Sequence, residues 1–387
     1  MSKPPAHQLK PPARQLKPPA RQLLARLEGK RVVICVGSGG VGKTTVSAAL
    51  ALGLAMRGRK VAVVTIDPAR RLAHALGLDE LASAPHRIEP KLLAEQGVRA
   101  EGELWAMMLD AKRTLDEIVT RLEPDRARLA TILENPVYKE LSTAVAGSHE
   151  LSAIAKLYEL HEEHDFDTIV LDTPPSRNAL DFLNAPTRLL GFLEGRALQV
   201  FLAPSGMTAR LFGRGTGIVF AIFARVTGID MLGELSRFFR SLTGVIDAFG
   251  AQARGVAELL REDGTAFAIV TSPEPEPSRE ALFLAERLAE AGMTRGTLIV
   301  NRVNSYGLHG HAPAQAAALL EPELGERLAG RVAANLADFD VLARRDAATV
   351  QLLSRALDEP APVQVPQLEA DVGDLAGLAR VARHLLD

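Results

Sequence analysis

The chain has 387 residues, of which 47% are hydrophobic and 24% are charged, and its formal net charge at pH 7 is -2. This length is enough for one large α/β domain or two smaller ones, and the near-neutral charge excludes a general electrostatic attraction to nucleic acid or membranes. The single cysteine, Cys35, excludes an internal disulfide and a thiolate metal cluster within one chain, which predicts a reducing compartment and a cytoplasmic location.

A basic, proline-rich segment begins the chain. From residue 4 it repeats the seven-residue unit PPAHQLK, PPARQLK, PPARQLL, and no acidic residue precedes Glu28. Because paired prolines in every unit interrupt a helix, we expect a disordered, extended tail over residues 1–30. Such a tail is either a solvated segment without a specific partner or a contact for a partner or an anionic surface.

The next feature is a glycine-rich loop between a predicted strand and a predicted helix. The loop has the sequence G-S-G-G-V-G-K-T-T, in which glycines let backbone N–H groups surround a phosphate chain. The Lys43 side chain can reach the outer phosphates, and the Thr44 hydroxyl can bind Mg²⁺. The candidate nucleotide-binding residues of the loop are Gly37, Ser38, Gly39, Gly40, Val41, Gly42, Lys43, Thr44 and Thr45.

Short apolar runs alternate with helical patterns along most of the remaining chain. This alternation predicts an α/β fold with a doubly wound, mostly parallel sheet of the P-loop NTPase type, covering residues 31–387. The candidate strands are 31–36, 60–66, 103–109, 167–172, 265–271, 296–301 and, as the weakest candidate, 330–334.

Two of these strands end in aspartate. Asp67 ends the second strand before a proline, where a carboxylate could orient or deprotonate an attacking water. Asp172 ends a later apolar strand, a pattern typical of the carboxylate that holds Mg²⁺ or its water shell. An aspartate at a strand end can also simply cap a turn, but the P-loop favours the catalytic role for Asp67 and the metal role for Asp172.

Residues from about 185 to 262 have helical patterns and no clear strand, which predicts an all-helical insert. Nine of the 13 phenylalanines lie between residues 182 and 249. Their apolar faces either pack on each other or on a second subunit, or form a groove for a hydrophobic client.

The motifs G-x-G-G-V-G-K-T-T, T-x-D-P-A and L-D-T-P-P resemble those of the anion-transporting ATPase family. This family includes the arsenite-pump ATPases and the ATPases that target tail-anchored membrane proteins. The resemblance implies Mg²⁺-dependent ATP hydrolysis by a dimer, with Asp67 activating water, catalytic Lys43, and Thr44 and Asp172 at the metal. It also implies that Asn301, at the end of a late strand, contacts the adenine. A capping role for Asn301 stays open.

Three departures from the family pattern bear on the rate and the partner. Ser38 replaces the signature lysine that reaches the partner's phosphates, and Asn178 replaces a second-switch histidine. A single cysteine is too few for an arsenite site or for a zinc clasp between subunits. We therefore expect slow hydrolysis, unless another cation substitutes. The candidate cations are Arg70, Arg71 and Arg177.

Several functions fit these residues. The first is an Mg-ATPase whose homodimer, or heterodimer with a related ATPase, regulates a client or membrane partner. The second is a catalytically weak ATP-sensing module or one half of a heterodimer. The third is an ATP-dependent chaperone for hydrophobic helices. A DNA-partitioning ATPase has only the basic tail to support it, so we expect no nucleic-acid partner.

Overall fold

The structure is a computed structural model. It describes residues 18–66, 71–78, 81, 83–136, 138–139, 148–173, 243–305, 307–308 and 311–387, with isolated positions between 184 and 195. Asp67 and Asn178 lie outside the described residues, as do Arg70, Arg177 and most of the predicted helical insert.

The described part of the chain forms one eight-stranded sheet with the order β3-β4-β2-β5-β1-β6-β7-β8. The strands are β1 Val32–Val36, β2 Lys60–Thr65, β3 His86–Arg87, β4 Glu103–Met108, β5 Thr168–Asp172, β6 Thr265–Thr271, β7 Arg295–Val303 and β8 Val363–Pro366. Every neighbouring pair is parallel except β3 and β4, which are antiparallel. The predicted doubly wound, mostly parallel sheet is confirmed.

Helices cover both faces of the sheet. They are α1 Pro18–Leu27, α2 Lys43–Ala55, α3 Arg71–Ala75, α4 Pro90–Glu95, α5 Ala111–Leu122, α6 Arg126–Glu134, α7 Ser148–Glu163, α8 Thr243–Leu259, α9 Pro275–Glu290, α10 Pro313–Leu324, α11 Glu326–Ala356 and α12 Leu375–Leu386. In β1, Val33 and Cys35 pack with α1, α2 and α12, whereas Val32 and Ile34 pack with α7, α8 and α9. The alternation follows from the two-residue period of a strand, and it buries β1 on both sides.

The register of the central strands brings separate motifs to one edge of the sheet. Cys35 of β1 pairs with Asp172 of β5, and Thr65 of β2 pairs with the same aspartate. Since parallel strands end at a common edge, the loop after β1 and the carboxylate that ends β5 emerge side by side.

One predicted strand is wrong. Residues 330–334 lie inside the 31-residue helix α11, in which Ala329 and Ala333 are buried one helical turn apart. The two alanines follow the four-residue period of a helix face. The short apolar run alone could not distinguish a strand from a buried part of a helix.

Part of the N-terminal segment that was predicted to be an extended tail is a helix. The expected tail extended to residue 30, but Pro18–Leu27 form helix α1, with Pro18 in the first turn, where a missing N–H removes no hydrogen bond. Leu23 and Leu27 are buried four residues apart, and Arg26 forms an ion pair with buried Glu359. Residues 1–17 lie outside the described residues. None of the described helices has the length and apolar character needed to cross a membrane.

Candidate functional site

The glycine-rich loop connects β1 to α2, and two of its glycines are required by close contacts. A Cβ on Gly37 would lie 2.0 Å from the Val270 carbonyl oxygen on β6, and a Cβ on Gly42 would lie 2.4 Å from Nδ2 of Asn301. Both residues also have positive φ angles, 153° and 88°, which favour glycine. The loop is therefore pressed against the ends of β6 and β7.

Helix α2 presents its positive end to this loop. It begins at Lys43 after Gly42, no side chain caps its first turn, and its first turn contains no acidic residue. The unpaired N–H groups and the helix dipole favour an anion there. The adjoining cleft has a volume of about 380 Å³, and its walls include Gly40, Thr45, His74 and Arg302. This end of α2 has the chemistry of a phosphate site.

The Lys43 ammonium lies across its own loop. Its Nζ donates hydrogen bonds to the carbonyl oxygens of Gly37, at 2.8 Å, and Ser38, at 2.7 Å, and the side chain is buried. The charge is thus held within the loop, next to the first turn of α2.

Asp172 is the centre of a buried cluster of hydroxyl groups. The Thr44 Oγ1 donates to its Oδ2 at 2.7 Å, the Thr65 Oγ1 donates to the same oxygen at 3.0 Å, and the Ser47 Oγ lies 3.4 Å from Oδ1. Asp172 itself has no solvent exposure. The structure therefore brings together Thr44 and Asp172, which the sequence predicted to share a metal.

This cluster fits Mg²⁺ and a nucleotide. Hydroxyl and carboxylate oxygens are the ligands that Mg²⁺ prefers, with phosphate oxygens and waters completing its shell. The Ser38 Oγ is buried and has no hydrogen-bond partner among the described residues, so the loop has an unused donor. Thr44 and Asp172 are the residues that would hold the metal, and the loop N–H groups and Lys43 would hold phosphates.

The Asn301 side chain connects the end of β7 to the loop by a hydrogen bond. Its Nδ2 donates to the Val41 carbonyl oxygen at 2.8 Å, and the side chain is buried. The structure thus places Asn301 against the loop, and its predicted contact with adenine stays a prediction. No hydrogen bond to a described residue occupies its Oδ1 atom.

Several residues of the site were not predicted. Thr65 belongs to the T-x-D-P-A motif, and its position at a strand end could have indicated its contact with Asp172. Thr173 follows Asp172, and its Oγ1 donates to the Cys35 carbonyl oxygen at 2.8 Å. His74 and Arg302 line the cleft, but no sequence pattern indicated either side chain.

Cys35 lies directly beneath the site. Complete burial, the largest cause, and the Asp172 charge raise the pKa of its thiol, the Ser47 hydrogen bond and the Lys43 charge lower it, and the net result is a pKa of about 12. The thiol is therefore neutral near pH 7.

The sequence profile of the family described as anion-transporting ATPase matches residues 30–306. The chain is 25% identical over 279 residues to ATPase GET3 of Malassezia globosa, covering 70% of this chain and 72% of that protein. It is 26% identical over 279 residues to a protein of Aquifex aeolicus provisionally named arsenical pump-driving ATPase 1, covering 70% and 63%. It is 28% identical over 277 residues to the uncharacterized protein SCO2128 of Streptomyces coelicolor, covering 70% and 62%. The chain thus spans less than two thirds of the length of the last two.

Proposed function

Because this chain belongs to the anion-transporting ATPase family, we propose that it binds ATP with Mg²⁺ at the Gly37–Thr45 loop and hydrolyses it slowly. The observation that carries the proposal is the 2.7 Å hydrogen bond between Thr44 and Asp172, at the positive end of α2. It joins the P-loop threonine to the strand-end carboxylate, the two side chains that a P-loop ATPase needs at its metal.

Three groups share the binding: the first N–H groups of α2, the Lys43 ammonium, and the pair Thr44 and Asp172. The N–H groups at the start of α2, which no side chain caps, bind phosphate oxygens. The Lys43 ammonium exchanges its bonds with the Gly37 and Ser38 carbonyls for the outer phosphates. Thr44 and Asp172 hold the Mg²⁺ site. When bound, the ion neutralises charge that develops on the phosphate oxygens.

We propose that Asp67 is the residue that activates the attacking water. Thr65, two positions earlier in the sequence, ends β2 and donates to Asp172, so the described end of β2 lies at the carboxylate of the proposed metal site. The Asp67 carboxylate would orient the water and accept its proton as the water attacks the outermost phosphorus, while the bond from that phosphorus to the bridging oxygen breaks and ADP leaves.

Ser38 is the reason to expect a slow rate. A serine donates one neutral hydrogen bond, whereas the family lysine brings a full positive charge to the partner's phosphates. In other P-loop enzymes, the absence of a comparable cation, the arginine finger, lowers the hydrolysis rate by about 10³- to 10⁵-fold.

We propose that nucleotide-driven closing of a dimer, homomeric or with a related ATPase, regulates a client. The phenylalanine-rich segment between residues 182 and 249 supports a hydrophobic helix or membrane protein as that client.

Phosphate release and solution mass, measured together, test the proposal. Wild type should release phosphate from ATP only with Mg²⁺, Lys43→Ala should not, and Ser38→Lys should be faster and dimeric when ATP is bound. Robust ATP binding without turnover in either wild type or Ser38→Lys would instead favour the ATP-sensing module or the heterodimer half. Equal phosphate release by wild type and Lys43→Ala would contradict the proposed site.

A further inference from the structure

An irregularity at the end of β7 brings a second residue, beside Asn301, to the nucleotide site. Neighbouring side chains on a regular strand point to opposite faces of the sheet, yet Asn301 contacts the loop and Arg302 lines the cleft. The ladder between β7 and β8 shifts register between Val300 and Val303, and Arg302 has a φ of 58°. A bulge of this kind bends a strand and redirects a side chain, which accounts for the position of Arg302.

The bent segment is held from outside the sheet. A left-handed conformation is unfavourable for a residue with a Cβ, and it persists where neighbouring structure fixes it, often at binding sites. Here Asp346 of α11, which has no solvent exposure, accepts from the backbone N–H of Asn304 at 2.9 Å and from its Nδ2 at 2.7 Å. Arg345 donates to the other carboxylate oxygen at 2.9 Å from Nη2. Helix α11 therefore fixes the turn that follows Arg302.

The Arg302 guanidinium is available for a ligand. The side chain is exposed, and it forms no ion pair or hydrogen bond with any residue in the described part of the chain. A guanidinium is a cation whose planar N–H groups match phosphate oxygens in pairs. The cleft that it lines is the one at the positive end of α2.

We propose that Arg302 binds the phosphate chain of the nucleotide held by its own subunit, and that Asp346 positions Arg302 through Asn304. This inference rests on the proposed function. It gives the site a positive charge from within one subunit, in a family member that has Ser38 where others carry a lysine. Arg302 was not among the residues that the sequence suggested as substitutes for the missing lysine, which were Arg70, Arg71 and Arg177.

Nucleotide affinity of the full chain tests the assignment. Arg302→Gln should weaken ATP binding about 10- to 100-fold, the range for one hydrogen-bonded charged group, and leave adenosine binding unchanged. Arg99→Gln is the matched control, because it removes the same charge from an exposed residue before β4, at the opposite end of the sheet. Arg302→Lys should restore part of the loss, since it keeps the charge without the paired N–H groups.

The positioning role has its own measurement. Asp346→Asn should weaken ATP binding by less than Arg302→Gln does, again without effect on adenosine, and should add nothing in the double variant. An Arg302→Gln affinity equal to that of Arg99→Gln overturns the inference, as does an equal loss for ATP and adenosine. A wild-type chain that fails to bind ATP overturns the proposed function as well, so the two failures are distinguishable.

Discussion

The Thr44 hydroxyl donates a 2.7 Å hydrogen bond to Oδ2 of Asp172, although 128 positions separate the two residues. The contact exists because β1 and β5 are neighbours in parallel register, so that the loop after β1 and the carboxylate that ends β5 meet. By donating its proton, the hydroxyl keeps its oxygen lone pairs available for a cation. The pair is therefore arranged so that the carboxylate fixes the threonine hydroxyl while its oxygen can still accept a cation.

Replacing Asp172 should weaken the metal site without abolishing nucleotide binding. Asp172→Asn keeps the shape of the side chain but removes its charge, and partners that orient a metal ligand typically contribute about 10- to 100-fold in metal affinity. We expect the Mg²⁺ concentration for half-maximal phosphate release to rise by that factor, with ATP binding in EDTA little changed. Asp167→Asn, which removes an exposed carboxylate next to the other end of β5, should leave the Mg²⁺ requirement unchanged. An unchanged Mg²⁺ requirement in Asp172→Asn would contradict the assignment.

Alanine at Gly42 should damage both stability and nucleotide binding. Its φ of 88° costs an alanine about 1–2 kcal/mol, and the new Cβ would meet Asn301 Nδ2 at 2.4 Å. Gly58→Ala is the control, because Gly58 has a φ of 90° and nothing within 4 Å of an added Cβ. Urea unfolding should show the larger loss for Gly42→Ala, and only that variant should lose ATP affinity. Equal unfolding free energies would show that the loop yields to the extra methyl group.

Asn301→Ala should loosen the loop and reduce the preference for ATP over GTP. Losing the 2.8 Å bond to the Val41 carbonyl should cost about 0.5–1.5 kcal/mol of stability. The Oδ1 atom, which no described residue binds, can accept from the amine of adenine, whereas guanine offers an oxygen at that position. Affinities for ATP and GTP, measured in wild type and variant, decide the matter. If both affinities fall by the same factor, Asn301 fastens the loop and does not read the base.

The Cys35 thiol should make the protein less stable at alkaline pH. Burial raises its native pKa from the ordinary 9.0 to about 12, so the thiol ionises first in the unfolded chain. The contribution of the neutral buried thiol to stability is fully present below pH 9, and above pH 9 the free energy of unfolding should fall steadily until the native pKa is reached. Urea unfolding at pH 8 and pH 10 should show this decline in wild type and a smaller one in Cys35→Ala. The two proteins declining in parallel would exclude the thiol as the cause.

The same thiol reports on nucleotide binding. Since Cys35 is fully buried and neutral in the native state, a thiol reagent should label it only when the strand opens. If ATP with Mg²⁺ binds as proposed, it should stabilise the native strand by mass action and slow the labelling. Labelling at the same rate with and without ATP would mean that nucleotide does not stabilise β1 and the loop that follows it.

Much of the fold was predictable because the sheet is buried on both faces, which makes its strands continuous apolar runs. The runs at 31–36, 60–66 and 265–271 appear as β1, β2 and β6 within a residue of their predicted ends. The short edge strand β8 was missed, since only Val363 and Val365 are buried and Pro366 follows them. Helix α1 was missed because its prolines concealed the four-residue spacing of Leu23 and Leu27.

The candidate site was predictable where motifs specify it and not where backbone geometry does. Thr44 and Asp172 are recognisable from their motifs, and the structure places them in contact. The position of Arg302 could not be predicted, because it results from a bulge and a left-handed φ that its residue type does not favour. Contacts between the following turn and α11 fix that conformation. Asp67 keeps its predicted role as a proposal.

Calorimetric titration of ATP into the full chain tests whether the Gly37–Thr45 loop binds nucleotide. We expect saturable binding of one nucleotide per chain that is tighter with Mg²⁺ than with EDTA, and a large loss of affinity in Lys43→Ala despite a retained thermal unfolding transition. Absence of saturable binding in wild type, or equal affinity in wild type and Lys43→Ala, would contradict the assignment of the Gly37–Thr45 loop as the nucleotide site.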